Sequence, residues 1–288
     1  MLLNNTARKD SSMNKVVNIS DAISIIKDGD TVALGGNTLH RAPMALAREI
    51  VRQRKKKLNI IKTAGAHEVD LLVRGDCVES VTAGFISYET EFGLAMYYRK
   101  AVEAGKVKAN EHACYTVMCA LNAGKINVPF MPVYGLKNSD LINANDYFRV
   151  ITDPFTGDSI TVVKAIKPDV ALIHVSECDE HGNAIIDGPV YDDVLMSRAS
   201  NKIIISTEKI ISPSQIRLKQ DRVVIPGFLV HAVVNIPRGA APCSQPGKYD
   251  INKKVLSDFI NNKDNDGLMK YLSDYEYADK KMERKNVL

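Results

Sequence analysis

A short apolar run, two glycines and a helical pattern follow one another near the start of the chain. Thr31–Leu34 is rich in β-forming and apolar residues, Gly35-Gly36 closes this run, and Pro43 opens an apolar helical pattern over 44–51. The order predicts a strand, a tight turn and a helix, because proline is favoured in the first helical turn. In an α/β fold, such a unit brings backbone N–H groups to the carboxyl end of the sheet. These donors can bind a phosphate or an oxyanion, although a strand-to-helix turn without a ligand has the same pattern.

Apolar runs and helical patterns continue to alternate along the rest of the chain. Further strands are predicted at 58–62, 77–83, 170–175, 184–186, 202–206 and 229–234. Helices are predicted at 22–27 with Ser20-Asp21 as cap, and at 68–73, 92–103, 113–122 and within 251–277, while 138–145 and 152–159 have the polar composition of loops. Such alternation is typical of a mostly parallel sheet with helices on both faces. The predicted fold is therefore a three-layer α/β domain, and the lack of repeats or low-complexity linkers predicts one domain over 14–288.

Composition narrows the class of protein. The chain has 288 residues, 45% of them apolar and 25% charged, with a net charge of +4, as in average soluble globular proteins. The basic run 52–57 ends a helix, where cations oppose the macrodipole, and it has no interleaved aromatic residues for nucleic-acid stacking. Residues 1–13 lack the apolar core of a signal peptide and are expected to be a disordered leader. No apolar stretch approaches the length of about 18 residues that a membrane span needs.

Cysteine and nucleotide-loop patterns exclude several kinds of site. The chain has five widely spread cysteines and no C-x-x-C pair, so neither a zinc site nor a disulfide framework is predicted. A reduced, cytoplasmic protein without a metal is the expected result. The glycine turn fits neither the G-x-G-x-x-G loop of nicotinamide-binding proteins nor a Walker loop.

The segment around the glycine turn resembles the first subunit of the family I coenzyme A transferases. Asp28-Gly29, the apolar 32–34, Gly35-Gly36 and Pro43 fall on the pattern of that family at matching spacing. Asn37 stands where the family has Phe, and Arg41 where it has Gly. An Arg two residues before the Pro is, however, similar to the α subunit of glutaconate CoA-transferases. Further segments resemble that subunit in the same order, from about residue 14 to the C-terminal helices: Glu103–Lys106, Val128–Val133, Asp153–Phe155, Asp169–His174, Glu208–Ser212 and Gly239–Pro242.

The resemblance implies a fold like that of CoA transferases and ribose-phosphate isomerases, with an acyl-CoA as substrate and no permanently bound cofactor. It also implies a β partner, in an α2β2 or larger heteromer, whose glutamate attacks the acyl-CoA and then carries the CoA as a thioester. Thr63 stands at the end of the second strand, where the partner has this glutamate. Threonine cannot form the acyl anhydride or the CoA thioester, so the chain alone is expected to be inactive.

The predicted site combines residues from the turn with residues placed by resemblance. The N–H groups around Gly35, Gly36 and Asn37 are the expected oxyanion hole. Arg41 offers a planar guanidinium for the free carboxylate of a dicarboxylic acyl group, the alternative being a surface arginine at a helix start. The remaining substrate-binding candidates are Thr38, His40, Thr63, Ser87 and Tyr88.

Other residues have a structural interpretation that is at least as good as a catalytic one. Glu89 and Glu91 are alternative carboxylates, but acidic residues at a helix start also favour the helix dipole. His40 fits an exposed turn equally well, and His174 in its apolar strand fits a hydrogen-bonded sheet-end histidine. His181 belongs to a turn.

Three functions agree with these patterns. The first is the α subunit of a CoA-transferase acting on a dicarboxylic or keto acid. The second is a subunit of the ring-opening CoA-thioester hydrolases of steroid degradation, which resemble the same family and cleave a C–C bond with water. The third is a non-catalytic acyl-CoA or sugar-phosphate sensing domain, which the lack of a helix-turn-helix segment before residue 14 disfavours.

Overall fold

The computed structural model describes residues 13–262 and 264–280. The leader predicted over 1–13 lies outside these residues apart from the exposed Met13. The strands are β1 Thr31–Leu34, β2 Leu58–Gly65, β3 Val78–Ile86, β4 Lys108–Glu111, β5 Phe130–Pro132, β6 Phe148–Thr152, β7 Ser159–Lys164, β8 Val170–Val175, β9 Glu177–Cys178, β10 Ala184–Ile185, β11 Lys202–Thr207, β12 Val223–Ile225 and β13 Ala232–Asn235. The helices are α1 Ile19–Ser24, α2 Met44–Arg52, α3 His67–Arg74, α4 Glu89–Phe92, α5 Met96–Glu103, α6 Cys114–Lys125, α7 Asp193–Ala199, α8 Pro213–Arg217, α9 Lys253–Asn261 and α10 Asn265–Lys280.

A seven-stranded parallel sheet forms the centre of the fold, in the order β13-β11-β8-β1-β2-β3-β4. From β1 the chain builds outward through β2, β3 and β4, and then returns to place β8 on the other side of β1. The strand order therefore reverses between β1 and β8. Ligands of open α/β sheets bind at the carboxyl ends of the strands at such a reversal. The glycine turn directly follows β1 and lies at this position.

Alternate residues of the central strands enter two different hydrophobic cores. Val32 and Leu34 of β1 pack with α2, α3, α9 and α10 on one face. Ala33, between them, packs on the other face with α6 and α7. The three-layer α/β architecture predicted from the sequence is confirmed.

Two small antiparallel sheets, β5-β7-β6 and β12-β10-β9, add to the face that carries α6 and α7. Neither β6 and β7 nor β4, α7, α8 and β12 follow from the sequence patterns. The helix predicted over 92–103 is two helices, α4 and α5, because Gly93 ends α4 with φ +74°. The first helix begins at Ile19 rather than Ala22, since the side chain of Asn18 accepts a hydrogen bond from the N–H of Asp21 at 2.7 Å.

The long helix α10 is attached to α2 by buried charges. Asp279 accepts two hydrogen bonds from the guanidinium of Arg48, at 2.7 and 2.8 Å, and a third from Arg52 at 2.8 Å. The Arg48 guanidinium also stacks on the ring of Tyr275 at 3.9 Å from its centroid. These contacts fix α10 on the face of the sheet where α2 begins beside the glycine turn. None of the helices in the described part of the chain combines the length and the apolar character that a membrane span requires.

Candidate functional site

The glycine turn is shaped by close approach of the protein to itself. Gly36 has φ +71°, and a Cβ there would lie 2.5 Å from the carbonyl oxygen of Arg41. A Cβ at Gly35 would overlap the carboxylate of Asp193. Both glycines are therefore needed to admit other parts of this chain, a structural role that the sequence could not distinguish from approach to a ligand.

A buried lysine binds the carbonyl side of the turn. The Lys62 ammonium, from β2, donates to the carbonyl oxygens of Leu34, Gly35 and Gly36 at 3.1, 2.5 and 2.9 Å. Glu68 of α3 lies 3.3 Å from the same ammonium, and both side chains are fully buried. The three carbonyls use all three donors of the ammonium, while the Glu68 carboxylate balances its charge.

The N–H side of the turn is also occupied. Gly35 donates to the carbonyl oxygen of Leu172 at 2.8 Å, Asn37 to that of His40 at 2.9 Å, and Gly36 to Asp193 Oδ1 at 2.9 Å. None of the three donors predicted to form an oxyanion hole is thus free in this structure. Only the Gly36 N–H has a side chain as its acceptor, so it alone becomes available by a side-chain movement.

Arg41 is turned into the protein instead of toward a substrate. It is fully buried with φ +58°, and donates to the carbonyl oxygens of His174 and Pro189 at 3.0 Å and to Asp193 at 2.5 Å. Its Nε has no hydrogen-bond partner among the described residues. The alternative of a surface arginine is wrong. Contact with a substrate carboxylate stays a prediction that would require the Asp193 carboxylate to leave.

Thr63 is likewise bonded within the chain. It is buried at the end of β2, and its hydroxyl donates a short hydrogen bond to Asp192. The neighbouring Tyr191 ring lies 5.4 Å from the Arg41 guanidinium. The segment that begins α7 thus fills the crevice between β1 and β2 with two carboxylates, one on the glycine turn and one on Thr63.

A partly exposed polar cluster lies beside the turn. The Thr38 hydroxyl donates a short hydrogen bond to Oε1 of Glu89, and His40 Nε2 lies 3.7 Å from the same oxygen. On the other side of its ring, His40 Nδ1 is 2.7 Å from the Ser244 hydroxyl. The side chains of His40 and Glu89 are 39% and 42% exposed. We call Thr38, His40, Glu89 and Ser244 the edge cluster.

Glu89 and Glu91 have different surroundings. Glu89 has a left-handed backbone, φ +67°, which a residue with a side chain adopts at a cost of about 1–3 kcal/mol. Glu91 forms an exposed ion pair with Lys253 at 2.8 Å. The sequence pattern assigns both carboxylates the same interpretation, but only Glu89 reaches the glycine turn.

The two candidates that follow β3 do not present free groups to solvent. The Tyr88 phenol is fully buried and donates to Asp70 at 3.0 Å, while His67 bonds to it and to Tyr271 at 3.0 and 2.8 Å. Burial, aided by nearby arginines, lowers the pKa of His67 to about 3, and burial raises the pKa of Asp70 to about 6. The Ser87 hydroxyl donates to the carbonyl oxygen of Gly93 at 2.7 Å. Tyr88 therefore stabilises the fold and is not available to a substrate in this structure.

A second buried network joins the ends of β8 and β11. The His174 ring lies 2.9 Å from the Ser206 hydroxyl and 2.9 Å from Glu208, which also accepts from Tyr249 at 2.5 Å. Burial alone would raise the pKa of Glu208, yet the hydrogen bonds from His174, Tyr249 and the Arg238 N–H hold it below its usual value. The structure agrees with the interpretation of His174 as a hydrogen-bonded sheet-end histidine. Gly239, in the segment placed near the site by resemblance, packs against this ring.

Sequence reasoning missed Lys62, Asp192 and Asp193. A lysine inside the apolar run of β2 was the available signal, since charged residues are rarely buried without a partner. Within the residues that the structure describes, no group of three His, Cys, Asp or Glu side chains could hold a metal ion. The five cysteines are unpaired, and burial raises the pKa of Cys178 and Cys243.

Comparison with known proteins points to one family. A family model described as Coenzyme A transferase matches residues 16–235. The α subunit of glutaconate CoA-transferase from Acidaminococcus fermentans is 30% identical over 261 residues, covering 85% of this chain and 82% of that protein. The crystal structure of glutaconate coenzyme A-transferase from this organism matches with a TM-score of 0.86 at 27% identity, covering 95% of this chain and 93% of that chain.

Two other relatives differ in function or length. The cholesterol ring-cleaving hydrolase IpdA subunit of Rhodococcus jostii is 29% identical over 240 residues, or 80% of each chain. An uncharacterized protein of Archaeoglobus fulgidus is 33% identical over 268 residues. That match covers 92% of this chain, while this chain spans 60% of the relative's length.

Proposed function

The chain belongs to the coenzyme A transferase family, and on that premise we propose that it is the α subunit of a heteromeric CoA-transferase. The enzyme moves CoA between an acyl-CoA and a free carboxylic or dicarboxylic acid. The observation that carries the proposal is the 30% identity to the α subunit of a glutaconate CoA-transferase over 85% of this chain. Glutaconate is a dicarboxylate, which favours a dicarboxylic substrate here.

The nucleophile belongs to the partner subunit in this proposal. A glutamate of the β partner attacks the acyl-CoA carbonyl, the C–S bond breaks, and CoA then returns to form a glutamyl-CoA thioester. Thr63, the counterpart of this glutamate, is buried and bonded to Asp192, which supports the inference that the present chain lacks a nucleophile of its own. An α2β2 or larger assembly follows from the family resemblance.

This chain supplies the surface that receives the reacting carbonyl. Since the backbone donors of Gly35, Gly36 and Asn37 are engaged, we assign the oxyanion contact to the side-chain amide of Asn37. That amide makes no hydrogen bond within the described part of the chain and is half-buried beside the turn. Asparagine side chains serve this purpose in other enzymes, where removing one donor lowers kcat about 10²–10³-fold. Thr38, His40 and Ser87 remain the substrate-binding candidates around it.

The test uses the chain with and without its partner. Purified alone, it should transfer no CoA from acetyl-CoA to a dicarboxylate, and co-expression with the β subunit should produce activity. In the assembled enzyme, Asn37→Ala should lower kcat about 10²–10³-fold with little change in KM. Transfer by the lone chain would overturn the proposal and return Glu89 and Glu91 to consideration as nucleophiles.

A ring-opening hydrolase subunit is the second candidate, favoured by the 29% identity to the Rhodococcus jostii protein. The two activities differ in their second substrate, which is a carboxylic acid in one case and water in the other. The assembled protein is therefore incubated with a cyclic diketone CoA thioester without any acceptor acid. Ring opening under these conditions, together with no CoA transfer to dicarboxylates, would favour the hydrolase.

A further inference from the structure

His40 occupies a fixed position with one free ring nitrogen. Its backbone exchanges two hydrogen bonds with Asn37, at 2.8 and 2.9 Å, and the adjacent Ser244 N–H bonds to the Leu39 carbonyl at 2.9 Å. Nδ1 is held by the Ser244 hydroxyl at 2.7 Å. Nε2 lies 3.7 Å from Glu89, too far for a hydrogen bond, and the side chain is 39% exposed. The geometry thus fixes the ring and leaves Nε2 as the atom that can exchange a proton with a ligand.

Glu89 is held so that its carboxylate faces this nitrogen. The Thr38 hydroxyl binds Oε1, the oxygen nearest to His40, and the left-handed backbone of Glu89 directs the side chain across the turn. Strained residues of this kind cluster at functional sites, because the surrounding structure must enforce them. On its other side the ring meets the neutral hydroxyl of Ser244. A negative charge therefore lies beside the one free nitrogen.

Transfer of CoA creates a need for such a group at the sulfur. When a carboxylate attacks a thioester, a C–O bond forms, the C–S bond breaks, and CoA leaves as a thiolate. An ordinary thiol has a pKa of about 8.5, so the departing sulfur takes up a proton at neutral pH. Protonation of a leaving group by a positioned histidine typically accelerates a reaction about 10²–10⁴-fold.

We propose that His40 is this acid and base: its Nε2 proton passes to the CoA sulfur as the C–S bond breaks, leaving a neutral imidazole and CoA thiol. When CoA attacks in the next step, the imidazole takes the thiol proton back, so protons and charges balance without another reactant. Glu89 acts through His40 and is a positioning residue. The inference rests on the proposed CoA transfer but assigns a role that the partner's glutamate cannot perform.

The test varies the leaving thiol. Two thioesters of one acyl group are given to the assembled enzyme, one of pantetheine and one of a nitrothiophenol. The nitrothiophenol leaves readily as an anion, because a thiol of low pKa is the better leaving group. His40→Asn keeps an amide against Ser244 but removes Nε2. It should lower kcat/KM for the pantetheine thioester about 100-fold or more and that for the nitrothiophenyl thioester less than about threefold.

Matched controls come from the same chain. Glu89→Gln should give a smaller loss with the same dependence on the leaving thiol, whereas Glu91→Gln and His181→Asn should change neither rate. Activity toward the nitrothiophenyl thioester proves that a variant folds and assembles. Equal losses for both thioesters, or no loss for either, would overturn the role of His40. If the wild-type assembly transfers neither acyl group, the proposed function itself fails.

Discussion

At the level of single residues, two buried charges fix the glycine turn from opposite sides. The carbonyl oxygen and the following N–H of a trans peptide point in opposite directions. Because Lys62 binds three successive carbonyls, the next three N–H groups point away from it, and one of them meets Asp193. The turn is thus satisfied within the chain, and its geometry does not depend on a ligand.

Lys62→Met is expected to lower the free energy of unfolding by about 3–5 kcal/mol, because it leaves the Glu68 carboxylate buried without a counter-charge. Lys62→Met combined with Glu68→Gln should lose less, since no uncompensated charge remains. Urea unfolding of the single and double variants measures both values. If the double variant is as unstable as Lys62→Met, the ion pair is not what the lysine contributes.

Arg41→Lys tests whether the guanidinium serves the protein or the substrate. Lysine keeps the charge but cannot reach His174, Pro189 and Asp193 together, and hydrogen bonds from charged groups contribute about 1.5–3 kcal/mol each. With these bonds internal, kcat/KM of the assembled enzyme should fall equally for a dicarboxylate and a monocarboxylate. A loss confined to the dicarboxylate would instead show that Arg41 binds the distal carboxylate.

At the level of elements, α10 depends on one carboxylate for its attachment to α2. Asp279→Ala removes the partner of the buried Arg48 and should lower the free energy of unfolding by about 3–5 kcal/mol. Asp274→Ala on the same helix breaks an exposed pair with Lys270 and should cost about 0–1 kcal/mol. Thermal or urea unfolding compares the two, and similar effects would mean that burial of the pair does not matter.

The contact between α3 and α10 makes stability depend on pH. His67 has a folded pKa of about 3, below its usual 6.5, so only the unfolded chain binds its proton at mild acidity. This contribution is complete above pH 6.5 and is lost as the pH falls toward 3, by about 2 kcal/mol between pH 7.5 and 5. Asp70, with its raised pKa, shifts stability in the opposite direction over this range.

His67→Gln separates these two groups, because a glutamine can still bond to Tyr88 and Tyr271 but does not titrate. Urea unfolding at pH 7.5 and 5 should show a smaller loss on acidification for the variant than for the wild type, by about 2 kcal/mol. An equal loss in both proteins would assign the acid sensitivity elsewhere. The Arg48 and Arg74 charges, which also lower the pKa of His67, are unchanged in the comparison.

At the level of the whole molecule, local patterns predicted the architecture but not the contents of the site. The apolar runs of β1 and β8 and the glycines after β1 are local signals, and the parallel sheet follows from them. The position of Asp193 on Gly36 joins residues 157 apart, and that of Glu89 on Thr38 joins residues 51 apart. Periodicity does not say which distant side chain enters a crevice. The oxyanion hole was therefore predicted from donors that the fold already uses.

The attachment of α10 also sets an order of events during synthesis. Arg48 and Asp279 are separated by 231 residues, so the carboxylate leaves the ribosome long after the arginine that it neutralises. At about 5–20 residues per second the interval is roughly 10–50 s. Until then α2 cannot bury its guanidinium at low cost, and the sheet edge that carries the glycine turn stays open to chaperones. The reading frame thus delays closure of this face of the molecule until nearly all of the described residues have been made.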